Sequence, residues 1–573
     1  MPKTFLLLAM CFIMTLSLQA AGFSNPQDGP QASASNMAST YVPIESWVYP
    51  AFDQLAAEGY LPAAFFSLRP WTRMDCARLV EEAEDLEDVN EAQIAAKPAA
   101  SDVPALLASL KKEFAVELTR RAGARNAEFR LESLDQRVTS IAGRPLTDGF
   151  HFGETLVNDD GRPFAEGANV YSGTSFRATA GPFAAYIRTE LQRVPSAPVP
   201  DASAQQQIAA ADFTSMAAAG PVSGFLRGRL LEANVSFTVS NNQFTFGRQS
   251  LWWGPARSGA TLFSNNAEPI DMLRYDRVRP LLIPGISKLL GPIHVQVLVG
   301  RLSGTQFVRP TSTLFGTPGV ALGDQPFIHG EKIAFKPTPN FEFSVSRTVI
   351  FGGTGSPVNS STFLRSEFSL SVKNGASDPG DRRIAFDAQY RIPGVRNCLT
   401  GYFDGFSDDQ PFPLAYPTES VWLSGFYLRC VPHLPRMTFR AEGLLSPHRD
   451  LAFPGFFYFN VHYLSGYTNN RQLIGSWIGR EGDGEQAWAT WHLSPHSSLE
   501  LSGRSMTVNR EFLQGGTLRD LRATADIALR PEWQLLLEEQ TEWWRFPLLS
   551  TAPQHNAAFT FQLSYRPLGR VRQ

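Results

Sequence analysis

The most informative absence in this 573-residue chain is that of a long apolar run beyond residue 22. A membrane-spanning helix requires about 20 consecutive apolar residues, whereas Gly, Ser, Thr and Asn interrupt every later apolar stretch. Only helices and closed barrels satisfy all backbone hydrogen bonds in lipid. If the mature chain crosses a membrane, it must therefore do so as a β-barrel.

Charge is also scarce. Charged residues make up 18% of the chain, against about 25% in a typical soluble domain. The net charge of −3 provides no basic surface for nucleic acid. Aromatic residues reach 12%, with 42 phenylalanines. This composition favours a membrane barrel over a soluble or nucleic-acid-binding protein.

Cysteine and histidine are few and do not show metal-binding spacing. Apart from Cys11 near the start, the chain has only Cys76, Cys398 and Cys430, which permits one disulfide at most. Cys398 with Cys430 is the favoured pair because both lie in the same strand-rich half, and Cys76 is interpreted as a buried thiol on a helix. The nine histidines are scattered, and no phosphate-binding loop or nucleophile elbow is present. No metal site and no cofactor are predicted.

The first residues predict export. Lys3, an apolar core at residues 5–18 and small residues at 20–22 together indicate a signal peptide over residues 1–22. Residues 23–40 are rich in Ser, Ala, Gln and Asn without an apolar period, which predicts a flexible lead-in.

Residues 41–125 show helical periodicity. Three groups of apolar residues recur on helical faces: Tyr49, Phe52, Leu55 and Ala56; Cys76, Leu79, Val80 and Ala83; and Leu107, Leu110, Phe114 and Leu118. Gly59 ends the first group, and Thr72 followed by Asp75 resembles a capping box before the second. We predict a helical domain of three helices.

Residues 126–573 change to a period of two, which is typical of strands. Ile293, Val295, Val297 and Val299, for example, share one face. About eighteen such segments occur, each near the ten residues of a tilted membrane strand. They include residues 363–372, 384–392, 421–428, 437–444, 499–507, 522–529, 534–543 and 557–565. No repeat of fixed period supports a propeller, so we predict a mainly β fold: a large antiparallel outer-membrane β-barrel preceded by the helical domain.

Residues 247–269 fit neither a helix nor a simple strand. Tryptophan faces can pack on the C–H side of a sugar ring, arginine can bind a sugar carboxylate, and asparagine offers both donor and acceptor to a diol. The candidate polysaccharide-binding residues are Arg248, Trp252, Trp253, Arg257, Asn265 and Asn266. The alternative is a rigid loop that folds into the lumen and plugs it, since polar clusters inside wide barrels usually serve that purpose.

Three segments resemble one family. "FGRQSLWWGPARSGATLFSNNAEPI", "YVPIESWVYPAFDQLAAEGYLP" and "LRPWTRMDCARLVEEA" resemble the capsule-assembly Wzi family of outer-membrane proteins. The resemblance implies an eighteen-stranded barrel with a periplasmic helical bundle. It further implies a lectin without catalytic activity, whose partners are capsular or other surface polysaccharide and outer-membrane lipid.

The start of the helical domain also resembles, more loosely, an S-layer homology module, through Trp47, Tyr49 and the segment at 69–73. That resemblance implies contact with peptidoglycan. The alternative is that Trp47, Tyr49 and Trp71 are core residues of a helical bundle.

Other functions remain open at this level. The barrel could be a diffusion porin, or a structural protein that tethers the cell wall through its helical domain. It could also be a polysaccharide-cleaving enzyme through Glu538 and Glu542, which share one strand face with Gln540. A lumenal ion-pair network with nearby arginines, namely Arg504, Arg519, Arg522 and Arg545, is the favoured use of these carboxylates. The acidic segments at 404–409 and 481–485 are interpreted as solvated loops.

Overall fold

The computed structural model describes residues 34–93, 102–215, 222–368, 380–395, 397–408, 412–446 and 454–567. The predicted signal peptide and residues 23–33 of the predicted lead-in lie outside these ranges. Within them, no helix combines the length and apolar character that a membrane span requires.

Eighteen antiparallel strands close into one barrel, which confirms the predicted fold class and strand number. In chain order these are β1 Ala127–Ala142, β2 Gly167–Ala180, β3 Phe183–Val194, β4 Phe225–Val239, β5 Asn242–Gln249, β6 Ile270–Arg277, β7 Ile293–Arg301, β8 Phe327–Thr338, β9 Phe341–Phe351, β10 Asp381–Arg391, β11 Leu399–Asp408, β12 Ser420–Leu428, β13 Met437–Leu445, β14 Gly482–Ser494, β15 Ser497–Val508, β16 Gly516–Arg530, β17 Trp533–Arg545 and β18 Gln554–Tyr565. Each strand pairs with its neighbours in the chain, and β1 pairs with β18 to close the ring. Closure leaves no unpaired sheet edge.

The two faces of the wall follow the sequence alternation. On β7, Gln296 and Leu298 point inward and are buried, whereas Val295, Val297 and Val299 point outward and are partly exposed. Outward faces of other strands carry large exposed apolar residues such as Leu501. An apolar outer band is what a barrel in lipid requires.

The helical domain forms a separate core. Its helices are α1 Val48–Glu58, α2 Arg73–Gln93, α3 Val103–Glu113 and α4 Ala115–Arg121. The backbone N–H of Asp75 donates to Thr72 Oγ1 at 3.1 Å, as the capping signal predicts, and α1 ends at Gly59 with φ of 97°. The predicted third helix is instead two helices, α3 and α4, which are separated by the fully buried Phe114.

The two ends of the barrel differ. Residues 240–241 join β4 to β5 in a tight turn that contacts the start of the described chain, since Asn241 N donates to Ser35 O at 2.7 Å. We call this the helical end. The opposite end, the loop end, carries the longer connections. These include the helices α5 Ala202–Ala211 and α7 Ser360–Phe368, whereas the short helix α6 Ile286–Leu290 lies at the helical end.

Short elements complete the connections. The two-residue strands are Leu68–Arg69, Thr147–Asp148, Gly153–Glu154, Trp252–Trp253, Phe307–Val308, Phe315–Gly316, Thr468–Asn469 and Gln472–Leu473, and one turn of 3₁₀ helix spans Pro417–Glu419. At the helical end, a disulfide joins Cys398 to Cys430 across two neighbouring turns, as predicted. Cys76 is a buried free thiol, also as predicted.

Residues 34–40, assigned to a flexible lead-in from composition, are packed instead. Ala38 is fully buried, and its N–H donates to Gly181 O at 3.1 Å in the β2–β3 turn. Small polar residues suit this narrow site between the helical domain and the barrel turns, so composition alone was a poor guide.

The strand predicted over residues 363–372 is wrong in its described part. Residues 360–368 form α7, whose first turn is capped by Asn359, since Asn359 Oδ1 accepts the N–H of Thr362 at 3.0 Å. A local cap and the packing of Phe363 against Phe351, with ring centroids 5.9 Å apart, outweigh the alternating pattern. Residues 369–372 lie outside the described ranges.

The outward face provides a test of membrane insertion. Leu501 lies near the middle of β15 and is 59% exposed. We expect Leu501→Arg to lower the free energy of unfolding in lipid vesicles by about 2–4 kcal/mol, because a charge near the bilayer midplane is desolvated. Denaturant titration measures the change, with Thr551→Arg in a loop-end connection as the control. Equal stability of both variants would contradict a lipid-facing Leu501.

Candidate functional site

The segment at residues 250–269, which we call the lumen loop, enters the barrel from the loop end. It connects β5 to β6, and most of its residues are buried. Trp252 and Trp253 pair as an antiparallel ladder with Arg69 and Leu68 of the helical domain. Two segments that enter from opposite ends therefore meet inside the lumen.

Trp253 fixes the centre of this contact. Its indole Nε1 donates to Gln296 Oε1 on β7 at 2.9 Å, and its ring meets Phe263 edge to face at 5.0 Å between centroids. Gly330 on β8 leaves room for the ring, because a Cβ there would lie 3.1 Å from Trp253 Cη2. Trp252 is turned back on its own loop, with Nε1 donating to Ala256 O at 3.2 Å. The ring of Trp253 thus fills the space between the lumen loop and the barrel wall, and Trp252 stabilises the loop itself.

Carboxylates of the wall hold the main chain of the lumen loop. Asp404 on β11 accepts hydrogen bonds from the N–H and the hydroxyl of Thr261, both at 2.8 Å. Glu442 on β13 accepts the N–H groups of Arg257 at 2.7 Å and Ser258 at 2.9 Å. Outside the short ladder at Trp252 and Trp253, these carboxylates supply acceptors for main-chain groups that no strand pairs.

The same device holds the segment from the helical domain. Glu342 on β9 accepts the N–H groups of Phe66 and Ser67, each at 3.0 Å. Lys336 on β8 donates to Ala64 O. The helical domain is therefore attached to the wall by buried polar contacts to its backbone.

The interpretation of the acidic segment at 404–409 as a solvated loop is wrong for its described residues. Asp404 in the middle of β11 and Asp408 at its end are each 1% exposed and do not lie in a solvated loop. Asp408 pairs with Arg383 at 3.0 Å and accepts the N–H of Tyr458 at 2.9 Å. Alternation places them inward, and Asp409 lies outside the described residues. The segment at 481–485 is also not entirely solvated, because Glu481 is buried and accepts the N–H of Gly455.

A second polar cluster fastens three loops at the loop end. The His151 ring contacts Asp148 through Nδ1 at 2.8 Å and Asp212 through Nε2 at 3.0 Å. Arg480 also pairs with Asp212 and lies over the rings of Phe150, Phe459 and Phe512. Burial alone lowers the pKa of His151, but the two carboxylates outweigh burial and raise the pKa to about 10. This histidine therefore carries a positive charge at neutral pH.

The proposed carboxylate pair on β17 belongs to a lumenal network. Glu542 is fully buried and accepts from Thr155 at 2.6 Å and Asn556 at 2.7 Å. Glu538 lies 3.7 Å from Arg522, and Arg504 pairs with Asp520. The favoured network interpretation holds for Arg504 and Arg522, whereas Arg519 and Arg545 are exposed.

The six candidate polysaccharide-binding residues are divided by the fold. Trp252, Trp253, Asn265 and Asn266 are all at least 92% buried, with exposures of 5%, 1%, 8% and 3%. The indoles of Trp252 and Trp253 and the amide of Asn266 make hydrogen bonds within the lumen. All four residues are buried, so they would meet a sugar only if the loop moved. The geometry supports the plugging alternative for these four residues.

The two arginines are accessible but paired. Arg248 lies on the outer face beside Asp271, with a 2.9 Å contact. Arg257 reaches the water-accessible side of the lumen, where its side chain is 41% exposed, bonds Glu500 at 2.8 Å and lies over Trp488. The pairing of Trp252 and Trp253 with residues 68–69 separates the buried candidates from the accessible ones. This pairing is a tertiary contact that no local sequence pattern predicts.

One family model matches most of the chain. A sequence model of the family "Capsule assembly protein Wzi" matches residues 136–559. Wzi of Escherichia coli, an outer membrane protein involved in group 1 capsule assembly and a carbohydrate-binding β-barrel, superposes with a TM-score of 0.61 at 14% identity, covering 93% of this chain and 100% of that chain. The likeness shows a shared fold. A search of curated proteins finds no match.

Two further solved barrels are similar at lower scores. OccD3 (OpdP) of Pseudomonas aeruginosa has a TM-score of 0.40 at 9% identity, covering 78% of this chain and 95% of that chain. OccAB1 of Acinetobacter baumannii has a TM-score of 0.40 at 10% identity, covering 76% of this chain and 96% of that chain.

The His151 cluster predicts a pH dependence of stability. Because its pKa is raised above the unfolded value of about 6.5, its contribution is complete below that pH and is lost as the pH rises through about 10. We expect the difference in unfolding free energy between the wild type and His151→Gln to shrink across this window, as measured by denaturant titration. A difference that stays constant from about pH 6 to about pH 11 would contradict the ion-paired state.

The burial of Trp253 in the lumen predicts that this residue keeps the channel closed to ions. Trp253→Ala leaves a cavity of the kind that costs about 3–5 kcal/mol in a packed core, and it removes the bond to Gln296. We expect open-channel events in planar bilayers that the wild type lacks. Trp543→Ala, on the outer face, is the matched control and should leave conductance unchanged. Equal conductance in the two variants would show that Trp253 does not keep the lumen closed.

Proposed function

The chain belongs to the Capsule assembly protein Wzi family, and we propose that this outer-membrane barrel binds surface polysaccharide at its loop end without catalysing a reaction. The observation that carries the proposal is the filled lumen. The lumen loop, residues 68–69 and the loops joined at His151 occupy the centre and the loop end of the barrel. Such a barrel offers a rigid outer surface for a polymer and no wide path for solutes.

The orientation of the barrel in the membrane follows from the different lengths of the connections at its two ends. Outer-membrane barrels have short periplasmic turns and longer extracellular loops, and here the two-residue turn at 240–241 lies beside the helical domain. We therefore propose that the helical domain lies in the periplasm and that the loop end faces outward. The apolar outer wall, with residues such as Leu501, would contact outer-membrane lipid.

Exposed groups at the loop end suit a sugar polymer. The ring of Phe213 is 37% exposed, and its backbone adopts φ of 53°, a sparsely populated conformation for a residue with a side chain. Arg309 donates to the main-chain oxygen of Phe213 at 2.7 Å, which brings a guanidinium to the backbone of the same residue. An aromatic face for C–H groups beside a cation for sugar carboxylates is a pairing that acidic polysaccharide can use. We propose Phe213 and Arg309 as contacts, ahead of the buried Trp252 and Trp253.

The absence of catalysis is supported by the state of the candidate carboxylates. Glu542 is buried against Thr155 and Asn556, and Glu538 lies beside Arg522. A glycosidase needs its two carboxyl groups on either side of an accessible sugar bond. Both residues instead contribute to the packing of the lumen.

Peptidoglycan stays a prediction for the helical domain. Tyr49 and Trp71 are buried core residues with exposures of 1% and 4%, and Trp47 packs on His496 with ring centroids 4.0 Å apart. Burial supports the interpretation of Tyr49 and Trp71 as core, whereas Trp47 is half-buried against the turn between β14 and β15. None of these contacts argues for a cell-wall site.

The test is binding of the detergent-folded protein to the surface polysaccharide of the producing organism, measured together with single-channel conductance. We expect saturable binding, a closed channel and no new reducing ends. Phe213→Ala and Arg309→Gln should weaken binding, while Leu282→Ala, exposed at the helical end, should not. Steady conductance without binding would favour a porin. Cleavage that is lost in Glu538→Gln would favour an enzyme.

A further inference from the structure

Helix α7 lies on the outside of the barrel wall near the loop end. Along β9 the inward residues include Ser344, which bonds the lumenal Asp387, so Val349 and Phe351 at odd positions point outward. Both are nevertheless buried, at 0% and 3% exposure. The cover is α7, whose Phe363 contacts Phe351.

Arg347, also on the outer face of β9, fastens the end of this helix. Its guanidinium donates to the main-chain oxygens of Ser366, at 2.8 Å, and of Glu367. These bonds satisfy carbonyls that a helix C-terminus leaves without partners. They also bring the side chain of Glu367 over β8.

Three metal-ligating side chains converge there. His329 and Glu331 are outward residues two apart on β8, and Glu367 comes from α7; their ligand atoms all lie within 4.8 Å of one another. His329 Nδ1 is 2.8 Å from Glu331 Oε1 and 3.3 Å from Glu367 Oε2. The imidazole is fully buried between Phe351 and Phe363.

The donors and acceptors of this cluster do not balance. If the proton sits on Nδ1, one donor faces two carboxylates and Nε2 is left as a buried acceptor; if it sits on Nε2, three acceptors converge. Nε2 has no hydrogen-bond partner among the described residues. A protonated ring therefore also leaves a buried donor without an acceptor, which is costly.

A divalent cation would resolve the convergence of the three ligand atoms, because with the ring proton on Nε2 both Nδ1 and the two carboxylates can face the cation. Ligand atoms about 2.0–2.2 Å from a metal ion lie roughly 2.8–3.6 Å from each other, and the two histidine contacts of 2.8 Å and 3.3 Å fall in that range. We propose that His329, Glu331 and Glu367 bind a first-row divalent cation such as Zn²⁺. One imidazole with two carboxylates is a mixed donor set of borderline softness that suits such ions.

The ion would fasten α7 to the wall. Two ligands come from β8 and one from the helix, so binding requires α7 to be docked, and the ion must stabilise the docked state. The carboxylates of Glu331 and Glu367 are 24% and 12% exposed, which leaves a path for the ion from outside the barrel. The site is independent of the polysaccharide-binding proposal, because it lies on the outer wall.

The test is calorimetric titration of ZnCl₂ into the full-length, detergent-folded protein. We expect saturable uptake in the wild type, with one equivalent lost or weakened roughly 10-fold or more in His329→Gln and in Glu367→Gln. Glu511→Gln, exposed in the 509–515 connection, is the matched control and should bind as the wild type does. Heat-modifiable gel mobility checks that each variant is folded.

A second readout reports on the helix. Zn²⁺ should slow tryptic cleavage after Arg365 in the wild type and in Glu511→Gln, and should have no effect in Glu367→Gln. Absence of zinc uptake by the wild type, or equal uptake by all folded variants, would overturn the proposal. So would zinc uptake that Glu367→Gln retains in full, since the helix would then contribute no ligand.

Discussion

The structure depends on one constraint, which is that an irregular main chain inside a closed barrel must find hydrogen-bond partners away from water. The wall cannot supply them from its backbone, because every strand is already paired on both sides. Side chains do so instead: Asp404, Glu442 and Glu342 each accept two hydrogen bonds from segments in the lumen. An ionised carboxylate is the strongest acceptor available for a backbone amide.

This arrangement couples the two ends of the molecule. The lumen loop from one end and residues 68–69 from the other share a short ladder at Trp252 and Trp253. Arg440 and Arg429 add ion pairs to Asp53 and Glu58 of α1. Movement of the helical domain would therefore disturb the plug. The filled barrel is therefore one packed unit that includes the helical domain.

Several residues show why local patterns were insufficient. Asp404 and Asp408 lie among Phe and Gly residues in a pattern that predicts a loop. The alternation of side chains along β11 instead points both carboxylates into the lumen. Residues 363–368 alternate like a strand, but a cap at Asn359 and contact with the wall make a helix. His329 and Glu331 are separated from Glu367 by more than thirty residues, so only the docking of α7 on β8 and β9 reveals their cluster.

The sequence by itself predicted export, and it determined the helical domain, the eighteen-stranded barrel and the disulfide between Cys398 and Cys430. These features depend on period, composition and count, which are local properties of the chain. The same sequence placed two tryptophans and two arginines within residues 248–257 but could not say whether they bind or plug. That choice belonged to the tertiary structure, because a loop's exposure depends on partners elsewhere in the chain. Gln296, Gly330 and residues 68–69 bury the tryptophans, while both arginines keep contact with solvent.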